Sequence, residues 1–114
     1  MKKTMGVLVL ALLMASQAFA IGAVGSAKVV MVRVDSDGRG MVFFDQLIGG
    51  TPPGCAHPAY TTAFAFPPNA AGKAIMAFAI AAKLSQTPVT VYGTGVCSIY
   101  GPDNVEDWNY GVMH

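Results

Sequence analysis

The sequence predicts a mainly β domain with one helix, ordered β-β-β-α-β-β, as a five-stranded OB-type barrel with one disulfide. Three observations point there. Short β-branched or aromatic runs alternate between turn signals. A single helical stretch, AAGKAIMAFAIAAKL, separates the third run from the fourth. Two cysteines, Cys55 and Cys97, are the only ones in the chain. Three strands, a helix and two strands is the order of the barrel, although a sandwich or an open α+β sheet fits the same count.

The first strand is KVVMVRVD, residues 28–35, with Val30, Val32 and Val34 expected on one face and Arg33 and Asp35 on the other. Ser36-Asp37-Gly38-Arg39-Gly40 is turn chemistry, and MVFFDQL follows as the second strand of a hairpin. Pro52 and Pro53 make IGGTPPGCAHP an irregular loop, since proline donates no ladder hydrogen bond. In the third strand, residues 60–66, Tyr60, Phe64 and Phe66 share one face, and Ala63 and Ala65 the other. Pro67-Pro68 ends it. Asn69 is then placed to cap a helix from about Ala70 to Leu84. Thr87 before Pro88 forces extended backbone and opens the fourth strand, PVTVYG. A turn at Gly101-Pro102-Asp103-Asn104 leads to EDWNYGVM, the fifth.

The N-terminus reads as a secretory signal. Lys2 and Lys3 precede an apolar run, and Ala18-Phe19-Ala20 places small residues where a signal peptidase inspects them. The expected organisation is a signal peptide over 1–20, a flexible lead over 21–27 and one barrel domain over 28–114. The expected location is the periplasm or the exterior of a bacterium. Without Lys2 and Lys3, five basic residues face six acidic ones. Such a chain has no electrostatic footprint for nucleic acid or for an anionic membrane. Export also sets the redox state. Cys55 and Cys97 are expected as a disulfide, worth about 4 kcal/mol for a loop of this length in the chain-entropy model.

The helix is apolar nearly all round. At 100° per residue, Ala74, Ala77, Phe78, Ala79, Ala81 and Ala82 gather about Ile75 and are expected to lie on the barrel. Lys73, Met76, Ile80, Lys83 and Leu84 make the other face, where Met76 and Ile80 sit between the two lysines. Either a loop covers Met76 and Ile80, or they are simply exposed, or this face, with Lys73 and Lys83, meets copies of itself in an oligomer.

No catalytic set assembles around His57 or His114, and neither a metal nor a cofactor is expected. Asp35-Ser36-Asp37-Gly38 lacks the twelfth-position glutamate of a calcium loop, and Gly93-Thr94-Gly95 opens no helix. One cluster has binding chemistry: Asp103, Asn104, Asp107, Trp108, Asn109 and Tyr110, with Glu106 beside them. Carboxylates and amides take sugar hydroxyls, while an aromatic face packs on the C–H face of the ring. Equally, Glu106, Trp108, Tyr110 and Val112 share one strand face, and Trp108 could close the barrel.

AGKAIMAFAIAAKLSQTPVTVYGTGVC, with its Gly72-Lys73-Ala74, Ala81-Ala82-Lys83, Pro88-Val89, Tyr92-Gly93 and Cys97, resembles small exported bacterial proteins similar to the B subunit of subtilase cytotoxin, an AB5 toxin. The resemblance spans roughly residues 28–112. It implies an OB-type barrel, a disulfide, a ring with helices lining its centre, and glycan binding. No sugar-contacting residue transfers position by position. The expected function is thus an exported, non-catalytic binding module for a glycan. The alternative is a periplasmic structural or adaptor protein that binds another envelope protein, an exported partner, through a strand edge or the helix face.

Overall fold

The computed structural model describes residues 20–114, so all of the expected signal peptide except Ala20 lies outside the described residues. Over these residues the chain is mainly β, with two antiparallel sheets, one α-helix and one disulfide. Strands β1 (Gly22–Ala27), β4 (Gly49–Gly50), β6 (Val89–Gly93) and β7 (Trp108–Met113) make one sheet in the order β4-β1-β6-β7. Strands β2 (Val29–Val34), β3 (Gly40–Phe44) and β5 (Ala63–Phe66) make the other, in the order β2-β3-β5. Helix α1 (Ala70–Ser85) connects β5 to β6.

Residues 21–27 are not a flexible lead. Gly22–Ala27 is strand β1, paired on one side with β4 and on the other with β6. Its small residues give a weak strand signal, because strand propensity reflects side-chain packing and glycine and alanine offer little. Val24 and Ala27 are nevertheless fully buried. The chain then passes through Lys28 into β2 and the second sheet. On the opposite side the sheets touch through one parallel bridge, Ala65 with Asp107, rather than through a continuous ladder.

The β2–β3 hairpin forms as expected, with Gly38 N–H donating to the Asp35 carbonyl at 3.0 Å across the turn. Its faces differ from expectation. The register shifts between Val29 and Met31, so Val29 points into the core while Val30 and Val34 are exposed. In β5 the alternation holds for four residues. Phe64 and Phe66 enter the main core, and Ala63 and Ala65 enter a second cluster with Met41 and Val105. Tyr60 joins that second cluster instead of the phenylalanines, because Pro58–Tyr60 turns as a 3₁₀ helix.

Pro67 and Pro68 end β5, and the Asn69 side chain accepts from Gly72 N–H at 3.0 Å to start α1. Gly72 is required by space: a Cβ there would lie 1.6 Å from the Pro67 carbonyl oxygen. Gln86, in the left-handed region at φ 57°, closes the helix before Thr87-Pro88. The buried stripe is Gly72, Ala79 and Ala82, with Ile75, Met76 and Phe78 packed against the core. Met76 therefore belongs to the core side, not to the outer face assigned to it by helical periodicity. Ala74, Ala77 and Ala81 are exposed instead. Lys73, Ile80, Lys83 and Leu84 face solvent.

Candidate functional site

The segment 103–110 is divided by its own backbone. Opposite β6, Gly93 pairs with Trp108 and Tyr92 with Tyr110, so Asn109 is an extra residue in β7. This bulge breaks the expected sharing of a face. Trp108 turns inward, where its ring stacks on Phe44 and meets the edge of Phe78. Tyr110 and Val112 turn outward. Asp107 is also buried. Its carboxylate accepts from Ser98 N–H at 3.1 Å, from Ile99 N–H at 3.1 Å and from the Ser98 hydroxyl. Those bonds hold the loop after Cys97 over β3 and β5. Asn104 pairs through its backbone with Ala56, next to the Cys55–Cys97 disulfide, whose Cα atoms are 6.0 Å apart. Of the six residues singled out in the sequence, Asp103, Asn109 and Tyr110 remain exposed.

Tyr110 has a partner that periodicity in β6 could have revealed. Val89 and Val91 point inward, so Thr90 and Tyr92 point outward. Tyr92 lies directly across from Tyr110, and the two rings stack with centroids 4.9 Å apart and planes 23° apart. Both rings stay accessible, at 37% and 52% exposure. The neighbouring position on β1, directly across from Tyr92, is Ala23, whose small side chain offers the pair little cover from that strand. The result is a stacked, accessible pair of phenol rings on this sheet, with the exposed bulge residue Asn109 next to Tyr110 in the chain.

A second feature lies beneath the cysteine loop. Glu106 is 3% exposed, and its carboxylate accepts from Gly22 N–H at 3.1 Å to each oxygen and from Gly95 N–H at 2.9 Å. Glycine is needed around it, since a Cβ at Gly22 or Gly93 would come within 2.5 or 2.0 Å of a carboxylate oxygen. Among the described residues no lysine or arginine pairs with Glu106. Burial outweighs the amide donors and pushes its carboxyl up from the ordinary 4.5. The carboxylate borders a pocket of about 190 Å³ walled by Ile48, Pro52, Ala63 and His57. There the His57 Nδ1 accepts from Ala59 N–H at 3.0 Å, so the neutral ring carries its proton on Nε2.

A third cluster binds the hairpin turn to the loop at 98–100. The Arg39 guanidinium stands 4.7 Å from the Tyr100 ring centroid, and Arg33 stands 5.8 Å away. Tyr100 donates its hydroxyl to Asp35, which also pairs with Arg33 at 2.8 Å. These bonds hold the Asp35 carboxyl below its ordinary value. Each charge here is matched locally, which makes the cluster a clamp. A scan of protein-family models, a search of curated proteins and a search of solved structures each found no match to this chain.

Proposed function

We propose that this chain is an exported, non-catalytic binding module whose ligand is a glycan, held on the outer face of β6 and β7. The observation that carries this reading is the stacked pair Tyr92–Tyr110, accessible on a surface that no other element of the described residues covers. An exposed aromatic ring packs on the C–H face of a pyranose, and Asn109, exposed and adjacent to Tyr110 in the chain, offers an amide for a hydroxyl. Asp107 and Trp108 are withdrawn from this proposed site, because both are engaged inside the fold. Export remains part of the proposal, resting on the leader read in the sequence and favoured by the disulfide.

The strand path supports an OB-type reading of the fold. Taking β1 with β2 as one bent strand, the neighbours run β3, β5, then β7 through the Ala65–Asp107 bridge, then β6 and back to β1. The proposed ring assembly narrows to Ile80 and Leu84, 42% and 80% exposed on the face that carries Lys73 and Lys83, since Met76 packs inward. An adaptor role has its own support: β2 is an edge strand with Val30, Met31 and Val34 exposed, a place where an extended segment of a partner could add.

A glycan array on the exported protein tests the proposal, with Tyr92→Ala and Tyr110→Ala as controls. Binding by the wild type that both variants lose supports the site. An array without signal, or binding that both variants retain, sinks it.

A further inference from the structure

We infer that Glu106 is a receptor for the α-ammonium group of Ile21, formed when the chain is cut after Ala20, so that processing itself completes the fold. This rests on the export reading, and it concerns a site that the glycan proposal does not use.

The geometry begins with Gly22, whose backbone N–H is shared by both Glu106 oxygens at 3.1 Å. The nitrogen of Ile21 precedes it by one residue. Neighbouring backbone nitrogens in an extended chain are about 3.5 Å apart, which puts the Ile21 nitrogen within about 7 Å of the carboxylate. The peptide bond to be cut lies over the same spot. A Cβ at Gly95 would meet the Ala20 carbonyl oxygen at 2.8 Å, and Gly95 N–H donates to Glu106. Ile21 is also held in place, because its carbonyl accepts from Thr51 N–H at 3.1 Å. After cleavage the new ammonium can therefore turn about the Ile21 Cα–C bond, carrying the side chain with it, while the Ile21 carbonyl stays held by Thr51.

Chemistry supplies the reason for pairing. Glu106 is a nearly fully buried carboxylate with amide donors and, among the described residues, no cationic partner. Such a group gains most from a nearby positive charge. In the uncut chain the Ile21 nitrogen is a neutral amide, whereas in the cut chain it is an ammonium. The other titratable groups close by do not fill this role. Asp107 is acidic and turned to Ser98 and Ile99, and His57 faces the pocket across from Glu106 with Nδ1 already occupied.

The test expresses the full chain with its leader, collects the exported protein and measures its intact mass. Reductive methylation with ¹³C-formaldehyde then lets the terminal amine be titrated by NMR. Two variants are made the same way: Glu106→Gln, and a chain with one serine inserted between Ala20 and Ile21. The wild-type amine is expected to titrate about one unit or more above the ordinary ~7.7–8.0. Both variants should return to that range, and the insertion variant should melt about 4–8 °C lower. If Glu106→Gln fails to fold, the insertion variant still decides. An Ile21 amine that titrates normally in the wild type overturns the pairing while leaving the processing intact. A mass placing the terminus elsewhere overturns the processing, and the inference with it.

Discussion

The indole of Trp108 stacks on Phe44 with centroids 6.3 Å apart and planes 26° apart, and the ring of Phe78 on α1 meets its edge at 5.7 Å. One side chain thus joins the first residue of β7, the last residue of β3 and the middle of the helix. Trp108→Ala should cost about 3–5 kcal/mol, the range for deleting a large aromatic from a core. An unfolding free energy from urea titration lowered by that amount is the expected result. An unfolding free energy within about 1 kcal/mol of wild type would show that the three elements hold together without it.

Tyr92 and Tyr110 should behave in the opposite way. Their cross-strand pair is exposed, and such pairs contribute roughly 0.2–1 kcal/mol. Replacing either with alanine is expected to leave the thermal midpoint nearly unchanged while removing glycan retention. Asp107→Ala, by contrast, should lower stability, because the Ser98 and Ile99 amides lose their acceptor. Differential scanning calorimetry alongside a binding assay separates the two patterns.

The pH dependence has two parts of opposite sign. Glu106 has its carboxyl raised by burial, so the folded state holds the proton more tightly than the unfolded chain does. Its contribution to stability is full below the ordinary 4.5 and is lost as pH rises through the folded value. Asp35 is lowered, first by its bond from Tyr100 and then by Arg33, so its contribution is present above 3.8 and lost as pH falls through its folded value. In a chain that retains Ala20, Glu106→Gln should flatten the decline in melting temperature above pH 4.5 and leave the acid limb in place.

Placement on α1 separates two substitutions that look alike in the sequence. Ile80→Glu combined with Leu84→Glu should leave the monomer folded, since both residues face solvent, and should dissolve any oligomer built on that face. Met76→Glu should instead unfold or strongly destabilise the chain, because it would push a carboxylate against the core. Light scattering with circular dichroism reads both outcomes. A wild type that is monomeric at high concentration removes the ring from the proposal.

The disulfide joins the loop after β4 to the loop after β6 across a separation of 42 residues. Replacing both cysteines with serine should lower stability by about 4 kcal/mol in the chain-entropy model. Denaturant titration of the double variant checks this. The loss should centre on the loops around Cys55 and Cys97, which hydrogen exchange would show as faster exchange there than in β3 and β5.

Local chemistry was enough to place the features that depend only on neighbours in the chain. Asn69 starts α1, Pro67-Pro68 ends β5, Thr87-Pro88 returns the chain to a strand, and Gly38 turns the hairpin; each acts within a few residues. The cysteine pairing was legible as well, since two cysteines allow one intramolecular bond. What only the tertiary structure decided depends on partners far along the chain. Gly22–Ala27 becomes a strand because β6 and β4 supply its ladder, although its own side chains carry almost no strand signal. The bulge at Asn109 sends Trp108 and Tyr110 to opposite faces, and it is set by the register against β6, because a slip of one residue reverses every face that follows. Met76 packs inward for a similar reason: helical periodicity orders the residues around α1, but the position of the sheets beneath it chooses which arc is buried. Glu106 shows the same limit, as a carboxylate two residues before β7 whose role depends on amides at Gly22 and Gly95 that only the folded chain brings together.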